Sequence, residues 1–250
     1  PPPPPPRPPP GRAGRPLPVH AARSLLAGLA LAATAAVAGS FQVSPVRVAL
    51  TAEAPTAAIA VRNESKTDPV VVQLRPVDWR QQAGEDRYEP SATLIATPPI
   101  FTLAPGGTQT VRVGLRRGEA GAIPQGFRLY ITGGPPGPRA GFQGLQVALN
   151  IGIPVFVHPR ERTGGPLAFR AGAPAGRALL LKATNPANAH VQVIEGRVLD
   201  EGDGVLATTG QPRYLLAGQT ATWRLELARE PKGRMRIEAR TDGGPLAAPV

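Results

Sequence analysis

The 250-residue chain contains no cysteine, which excludes disulfides, cysteine-ligated zinc or iron–sulfur centres and thiol catalysis. It has only three histidines, His20, His158 and His190, too few and too scattered for a histidine-rich metal site. His158 and His190 are isolated in the sequence and read as structural histidines. Aromatic residues make up 4% of the chain, leaving few platforms for stacking bases. Acids are also scarce, 17 against 28 Lys and Arg, for a net charge of +11. The arginines are dispersed and form no basic run, so this charge does not describe a nucleic-acid surface. Serines after the first 38 residues are Ser40, Ser44, Ser65 and Ser91, with no Gly-x-Ser-x-Gly elbow. There is no phosphate loop and no dinucleotide fingerprint. The acid pairs Glu85/Asp86 and Glu201/Asp203 fall in turn-like polar stretches, where solvation is the default. Enzymatic chemistry therefore lacks its parts, and no cofactor or metal is implied.

Long apolar runs are missing as well. The longest, Leu25–Val37, is rich in alanine and too short for the roughly 20 residues that span a bilayer, so stable membrane insertion is not expected. It fits a targeting segment instead. Arg7, Arg12, Arg15 and Arg23 precede it with no acid among them, and Ala36-Val37-Ala38 follows as a small-x-small cleavage pattern. Residues 1–38 are thus expected to be a Pro-rich leader and signal peptide, with the mature chain starting at Gly39. Nine of the first ten residues are proline.

What remains reads as all-β. Short alternating apolar runs recur between turn residues. Val43, Val46 and Val48 surround Pro45, and Ile59 and Val61 precede the turn-like Asn63-Glu64-Ser65. Val70–Leu74 reads as a buried run; Val111/Val113/Leu115 and Phe127/Leu129/Ile131 alternate. Gly133–Pro138 is a loop. Residues 160–166 are polar and turn-rich, and new alternating runs follow, including Trp223/Leu225/Leu227 and Met235/Ile237/Ala239. The spacing predicts two immunoglobulin-like sandwiches, 39–159 and 160–250, each near the usual size of about 100 residues. Trp79 and Trp223 are expected in core or rim packing.

One run stands apart. From Leu145 to Val157 every odd position is apolar: Leu145, Val147, Leu149, Ile151, Ile153, Val155 and Val157. At about 3.3 Å per residue it would extend roughly 40 Å, longer than one sandwich can bury. Two readings follow. It is a long, bent core strand crossing between sheets, or its first half offers its apolar row to another protein by strand addition.

Several motifs, in order, resemble the periplasmic pilus-assembly chaperones of the chaperone–usher pathway. They are Ser44-Pro45-Val46-Arg47-Val48, Val61-Arg62-Asn63, Trp79 with Tyr88-Glu89-Pro90, Thr97-Pro98-Pro99-Ile100-Phe101, Gln109-Thr110-Val111-Arg112-Val113, Phe127-Arg128-Leu129 and Ile153-Pro154-Val155-Phe156-Val157-His158-Pro159. Asn185-Pro186 and Tyr214–Gly218 continue the match. The Ile-Pro-Val-Phe-Val form resembles the archaic, spore-coat-U-like branch.

The resemblance implies two immunoglobulin-like β-sandwich domains in a boomerang arrangement, located in the periplasm. It implies pilin or fimbrial subunits and an outer-membrane usher as partners, with no nucleotide consumed. Leu145, Val147, Leu149 and Ile151 match the donor strand that completes a subunit's sandwich, while Ile153 onward belongs to the chaperone's own core. Arg47 matches the first of two basic residues that anchor the subunit's terminal carboxylate. Pro154 stands where the second, a Lys, is expected, and Arg128 is the proposed substitute, its side chain turned away from Leu129 and Ile131. Pro98 is a candidate cis-proline. The competing reading is an exported two-domain adhesin or pilus structural subunit. A pilin, however, would carry its donor segment near its mature N-terminus and form one sandwich.

Overall fold

The structure, a computed structural model, describes residues 41–116, 125–134 and 148–250. These residues form strands and turns without a helix. One four-stranded sheet has the order β1 (Phe41–Ser44), β3 (Thr56–Asn63), β8 (Thr108–Leu115), β6 (Leu94–Thr97). The sheet facing it runs β2 (Val48–Leu50), β10 (Leu149–Val157), β9 (Gln125–Gly134), β4 (Val70–Gln82), β5 (Glu85–Pro90), with β7 (Ile100–Leu103) also on β4. Alternation aims one row of each strand inward. Ile59, Val61, Val111 and Val113 from the first sheet meet Val72, Leu129, Ile131, Ile153 and Val155 from the second in a single core.

A second core is built the same way. Sheet β11 (Ala168–Ala171), β12 (Ala178–Thr184), β16 (Thr220–Glu226) packs Leu179, Leu181, Trp223 and Leu225 against the other sheet. That sheet is β14 (Val205–Thr208), β13 (Val191–Leu199), β17 (Arg236–Thr241), β18 (Gly244–Pro249), with β15 (Arg213–Leu215) beside β13. Val193, Leu206, Leu215 and Ile237 are its contribution to the core. The protein is thus an all-β chain of two immunoglobulin-like sandwiches. Val70–Leu74 is not uniformly buried: Val70, Val72 and Leu74 face the core while Gln73 is exposed, the alternation expected when only one face of the sheet packs inward.

The two sandwiches repeat a motif. Leu103-Ala104-Pro105-Gly106-Gly107-Thr108-Gln109-Thr110-Val111-Arg112-Val113 aligns with Leu215-Leu216-Ala217-Gly218-Gln219-Thr220-Ala221-Thr222-Trp223-Arg224-Leu225. The turn that opens each copy places Gly106 and Gly218 at φ values of 68° and 70°, a region that glycine enters without strain. A buried asparagine clamps each turn. Asn63 Nδ2 donates toward the carbonyls of Asp68 (2.8 Å), Ala104 (3.1 Å) and Leu103 (3.4 Å), and its Oδ1 accepts from Ser65 N–H at 2.9 Å. Asn185 Nδ2 donates toward Ala189 (2.8 Å), Leu216 (3.0 Å) and Leu215 (3.1 Å), and its Oδ1 accepts from Ala187 N–H at 3.1 Å. Asn63 begins an Asn-x-Ser triplet, but its side chain is spent inside the fold.

Candidate functional site

Strand β4 changes its buried face at Pro76. Before it, Val70, Val72 and Leu74 point into the first core; after it, Val77 and Trp79 are buried on the opposite face. Cross-strand register gathers other large side chains on that outer face. Trp79 lies opposite Tyr88 and Gly126, Val77 opposite Arg128, Pro154 opposite Arg128, and Phe156 opposite Gly126. The even residues Pro154 and Phe156 are therefore buried like their odd neighbours: one row fills the core and the other packs outward. Trp79 lies with ring centroids 5.7 Å from Phe156, 6.2 Å from Tyr88 and 5.5 Å from Tyr214 of the second sandwich. Tyr130 meets Tyr88 at 6.1 Å, so all three tyrosines of the chain converge here.

Asp86 organises this cluster. Its Oδ1 accepts from Trp79 Nε1 and Gln81 Nε2, both at 2.9 Å, and its Oδ2 accepts from the Tyr88 hydroxyl at 3.1 Å. Burial, helped by Asp86, raises the Tyr88 pKa well above its usual value, so the hydroxyl stays protonated and continues to donate. Gln81 also ties the sandwiches together, with Nε2 donating to the Tyr214 carbonyl and Oε1 accepting from Leu216 N–H, each at 2.9 Å. Asp86 is exposed, yet it lies in strand β5 rather than in a turn and is held by three donors. Trp79, Phe127, Phe156, His190 and Leu216 are among the residues that border a cleft of about 490 Å³ between the sandwiches.

Arg47 and Arg128 flank Pro154 in one row across three strands. The parallel ladder that pairs Val48 with Val155 puts Arg47 beside Pro154, whose antiparallel partner is Arg128. At about 4.8 Å per strand, their backbones are about 10 Å apart. Their side chains diverge from this row. Arg128 lies over Trp79 and Tyr88, 4.5 and 5.2 Å from the ring centroids, and its buried Nε has no hydrogen-bond partner among the described residues. Gly152 makes room for it: a Cβ there would come within 3.1 Å of Arg128 Cδ and 3.0 Å of the Tyr130 ring. Arg47 reaches the second sandwich and pairs with Asp242 Oδ2 at 3.0 Å.

His158 and His190 are not isolated, because their rings are 5.2 Å apart. His190 stacks on Phe156 at 3.5 Å with the planes 10° from parallel, and its Nε2 is 3.7 Å from Asp242 Oδ2. Burial pushes its pKa down to about 4, against an opposing pull from Asp242. Burial also lowers His158, with Arg162 and Arg47 adding to the effect. A depressed histidine favours the neutral form in the fold. Its contribution is complete above the ordinary value near 6.5 and fades as pH falls towards 4. A shift of this size corresponds to at most about 3 kcal/mol, and the open rim of the cleft brings that to about 2. His190→Phe is expected to flatten this part of the acid loss. Melting curves of wild type and variant from pH 7 to 4 check it: they should converge or cross on acidification, and parallel curves would rule out His190 as the source.

The remaining sequence-derived positions are spread over different surroundings. Leu149 is 37% exposed and Ile151 is partly buried against the first core, while Leu145 and Val147 lie outside the described residues. Ile153, Val155 and Val157 are buried. The Thr97–Pro98 peptide is cis, as is Ser44–Pro45. The sequence reading missed the aromatic cluster. Its signal was the outward set Arg128/Tyr130, which alternates with the inward Phe127/Leu129/Ile131.

Residues 40–162 match the family of pili and flagellar-assembly chaperones, PapD N-terminal domain. No curated protein sequence matches the chain. Among solved structures, that of the YadV chaperone is similar at 16% identity and a TM-score of 0.61, covering 84% of this chain and 99% of that one. A structure of the Salmonella enterica SafA pilin in complex with the SafB chaperone is similar at 20% identity and a TM-score of 0.60, covering 85% and 97%. The CsuC–CsuE chaperone–tip adhesion subunit pre-assembly complex, from archaic chaperone–usher Csu pili of Acinetobacter baumannii, gives 15% identity and a TM-score of 0.59 over 84% and 97%. At these identities the structures share the fold. The family match, which spans the first sandwich and the cleft strands β2, β4, β9 and β10, shows that this part of the chain belongs to the PapD-like pilus-assembly chaperones, a family that is not enzymatic.

Proposed function

We propose that this protein is a periplasmic chaperone that binds pilin or fimbrial subunits by donor-strand complementation and delivers them to an outer-membrane usher. In this reading residues 1–38 are removed on export, 39–159 form the subunit-binding domain and 160–250 form the second sandwich. The observation that carries it is the division of one apolar row. Ile153, Val155 and Val157 are fully engaged in the first core, whereas Leu149 is 37% exposed and the row continues back through Val147 and Leu145. A subunit that lacks a strand exposes both an apolar groove and unpaired backbone groups, and one inserted strand covers both. The SafA–SafB and CsuC–CsuE structures, each of a chaperone with its subunit, support the same assignment.

Leu145, Val147, Leu149 and Ile151 are the donor residues in this reading, each contributing roughly 1.5–3 kcal/mol on full burial. Replacing Val147 and Leu149 together with Asn places polar groups in a dry groove. Subunit co-purification is expected to be lost, with the free protein melting within a few degrees of wild type. Replacing Gln146 and Ala148 with Ser is expected to leave capture intact, because alternate residues face the other way. A Val147/Leu149 variant that unfolds while free would assign the strand to the chaperone's core. A folded variant that still captures subunits would refute complementation through this face.

A further inference from the structure

The second sandwich repeats the first with one strand fewer in the repeated sheet. In the first, β6 runs along β8, with Leu94 opposite Leu115 and Thr97 opposite Arg112. The motif repeat makes β16 the counterpart of β8, yet no strand among the described residues pairs with the edge of β16 that faces away from β12. The backbone there is oriented to accept one. The Thr222 carbonyl takes its hydrogen bond from Arg213 Nη1, at 3.0 Å, rather than from β12. Beyond the strand, Ala228 N–H donates to the Leu206 carbonyl at 2.7 Å. Even-numbered residues therefore turn their N–H and C=O groups to the open edge, and Arg224 and Glu226 lie between those two contacts.

The outer face of the same sheet is cationic. Arg170 lies directly opposite Lys182, and Leu180 opposite Arg224. Like charges placed opposite each other in a strand pair destabilise it. No ion pair relieves Arg170, Lys182 or Arg224 among the described residues. The single acid on this face, Glu226, is 3.9 Å from Arg177. Leu180 is 50% exposed beside these charges. An edge with no strand beside it among the described residues thus borders a predominantly cationic face.

We propose that the β16 edge docks an acidic, extended segment of a partner protein, which adds as a fourth strand and turns its acidic side chains towards Arg224 and, across one strand, Lys182. Arg170 adds to the attracting field. The internal counterpart shows the pattern required: β6 buries Leu94 and Ala96 and exposes Ile95 and Thr97, so the incoming segment alternates apolar and acidic residues. This surface is separate from β10, and the inference holds whether or not that strand captures subunits.

The probe is a labelled eight-residue peptide of alternating valine and glutamate, added to the full protein at low salt. Binding read by fluorescence anisotropy is expected to weaken at least tenfold in the Lys182→Glu/Arg224→Glu variant and in 0.5 M salt. A valine–lysine peptide should not bind. In the wild type, bound peptide should slow amide exchange at Thr222, Arg224 and Glu226. This second readout does not depend on how the variant folds. Equal binding to wild type and a folded variant, or protection elsewhere, would overturn the proposal. So would association with phosphatidylglycerol vesicles in the absence of peptide binding, which would make the face a membrane contact.

Discussion

Arg128→Ala is expected to weaken binding of a subunit's C-terminal segment about a hundredfold while lowering the melting temperature only slightly. The guanidinium is half-buried on the aromatic rings of Trp79 and Tyr88, and its Nε has no hydrogen-bond partner among the described residues. A cation held this way retains donors for a carboxylate that enters the cleft. Losing such a charged contact costs about 2–5 kcal/mol, and 3 kcal/mol is about a hundredfold in affinity. The stacking itself contributes only about 1 kcal/mol to the fold. Arg128→Lys should fall between, since an ammonium keeps the charge but loses the planar stack and the forked donors. Arg47→Ala should weaken capture less, because Asp242 already holds part of its charge. Calorimetry with peptides ending in a free carboxylate or an amide measures the effect directly. The wild type should prefer the free acid and Arg128→Ala should not. An unchanged preference in both arginine variants would place the anchor elsewhere.

Asn63→Asp is expected to be the most destabilising single change in the first sandwich, and Asn185→Asp in the second. Each asparagine is buried and directs its amide N–H groups at backbone carbonyls. An aspartate keeps the shape but replaces those donors with an acceptor. A buried charge would then face three carbonyl oxygens, at a cost of about 3–5 kcal/mol. For a domain near 100 residues this corresponds to more than about 10 °C in melting temperature. Asn→Ala should cost less, about 2 kcal/mol, because it leaves the carbonyls unpaired without adding charge. Calorimetric scans of the four variants test this. A shift of only a few degrees for either aspartate would show that the turn finds other donors.

The alternating runs make the fold legible in the sequence itself, because strand period and burial coincide wherever one face of a sheet meets one core. Phe127, Leu129 and Ile131 are such a case. The cleft was harder to read for the same reason. At Trp79 and Phe156 the second sandwich buries the face that would otherwise be solvated, and a single strand carries no sign of what will cover it. Asp86 looked like a turn acid because its three partners, Trp79, Gln81 and Tyr88, meet it only when β4 and β5 pair. The asparagine clamps were legible in principle, since Leu-x-x-Gly-x-Thr-x-Thr recurs at 103 and 215. Val111 and Val113 against Trp223 and Leu225 keep the same apolar–polar alternation as the other strands, so a reading by hydrophobicity does not single the repeat out.

The scarcity of aromatic residues gives the protein a built-in optical assay. Its two tryptophans are divided, Trp79 in the cleft and Trp223 in the second core. Tyr88 and Tyr214 lie within 6.2 Å of Trp79, and Tyr130 lies beside Tyr88. Light absorbed by any tyrosine should therefore be re-emitted mainly by Trp79. A Trp223→Phe protein would then report occupancy of the cleft through the colour of one indole. A Trp79→Phe protein would follow unfolding of the second sandwich alone, so the order in which the two halves of the molecule lose structure can be observed without attaching a dye.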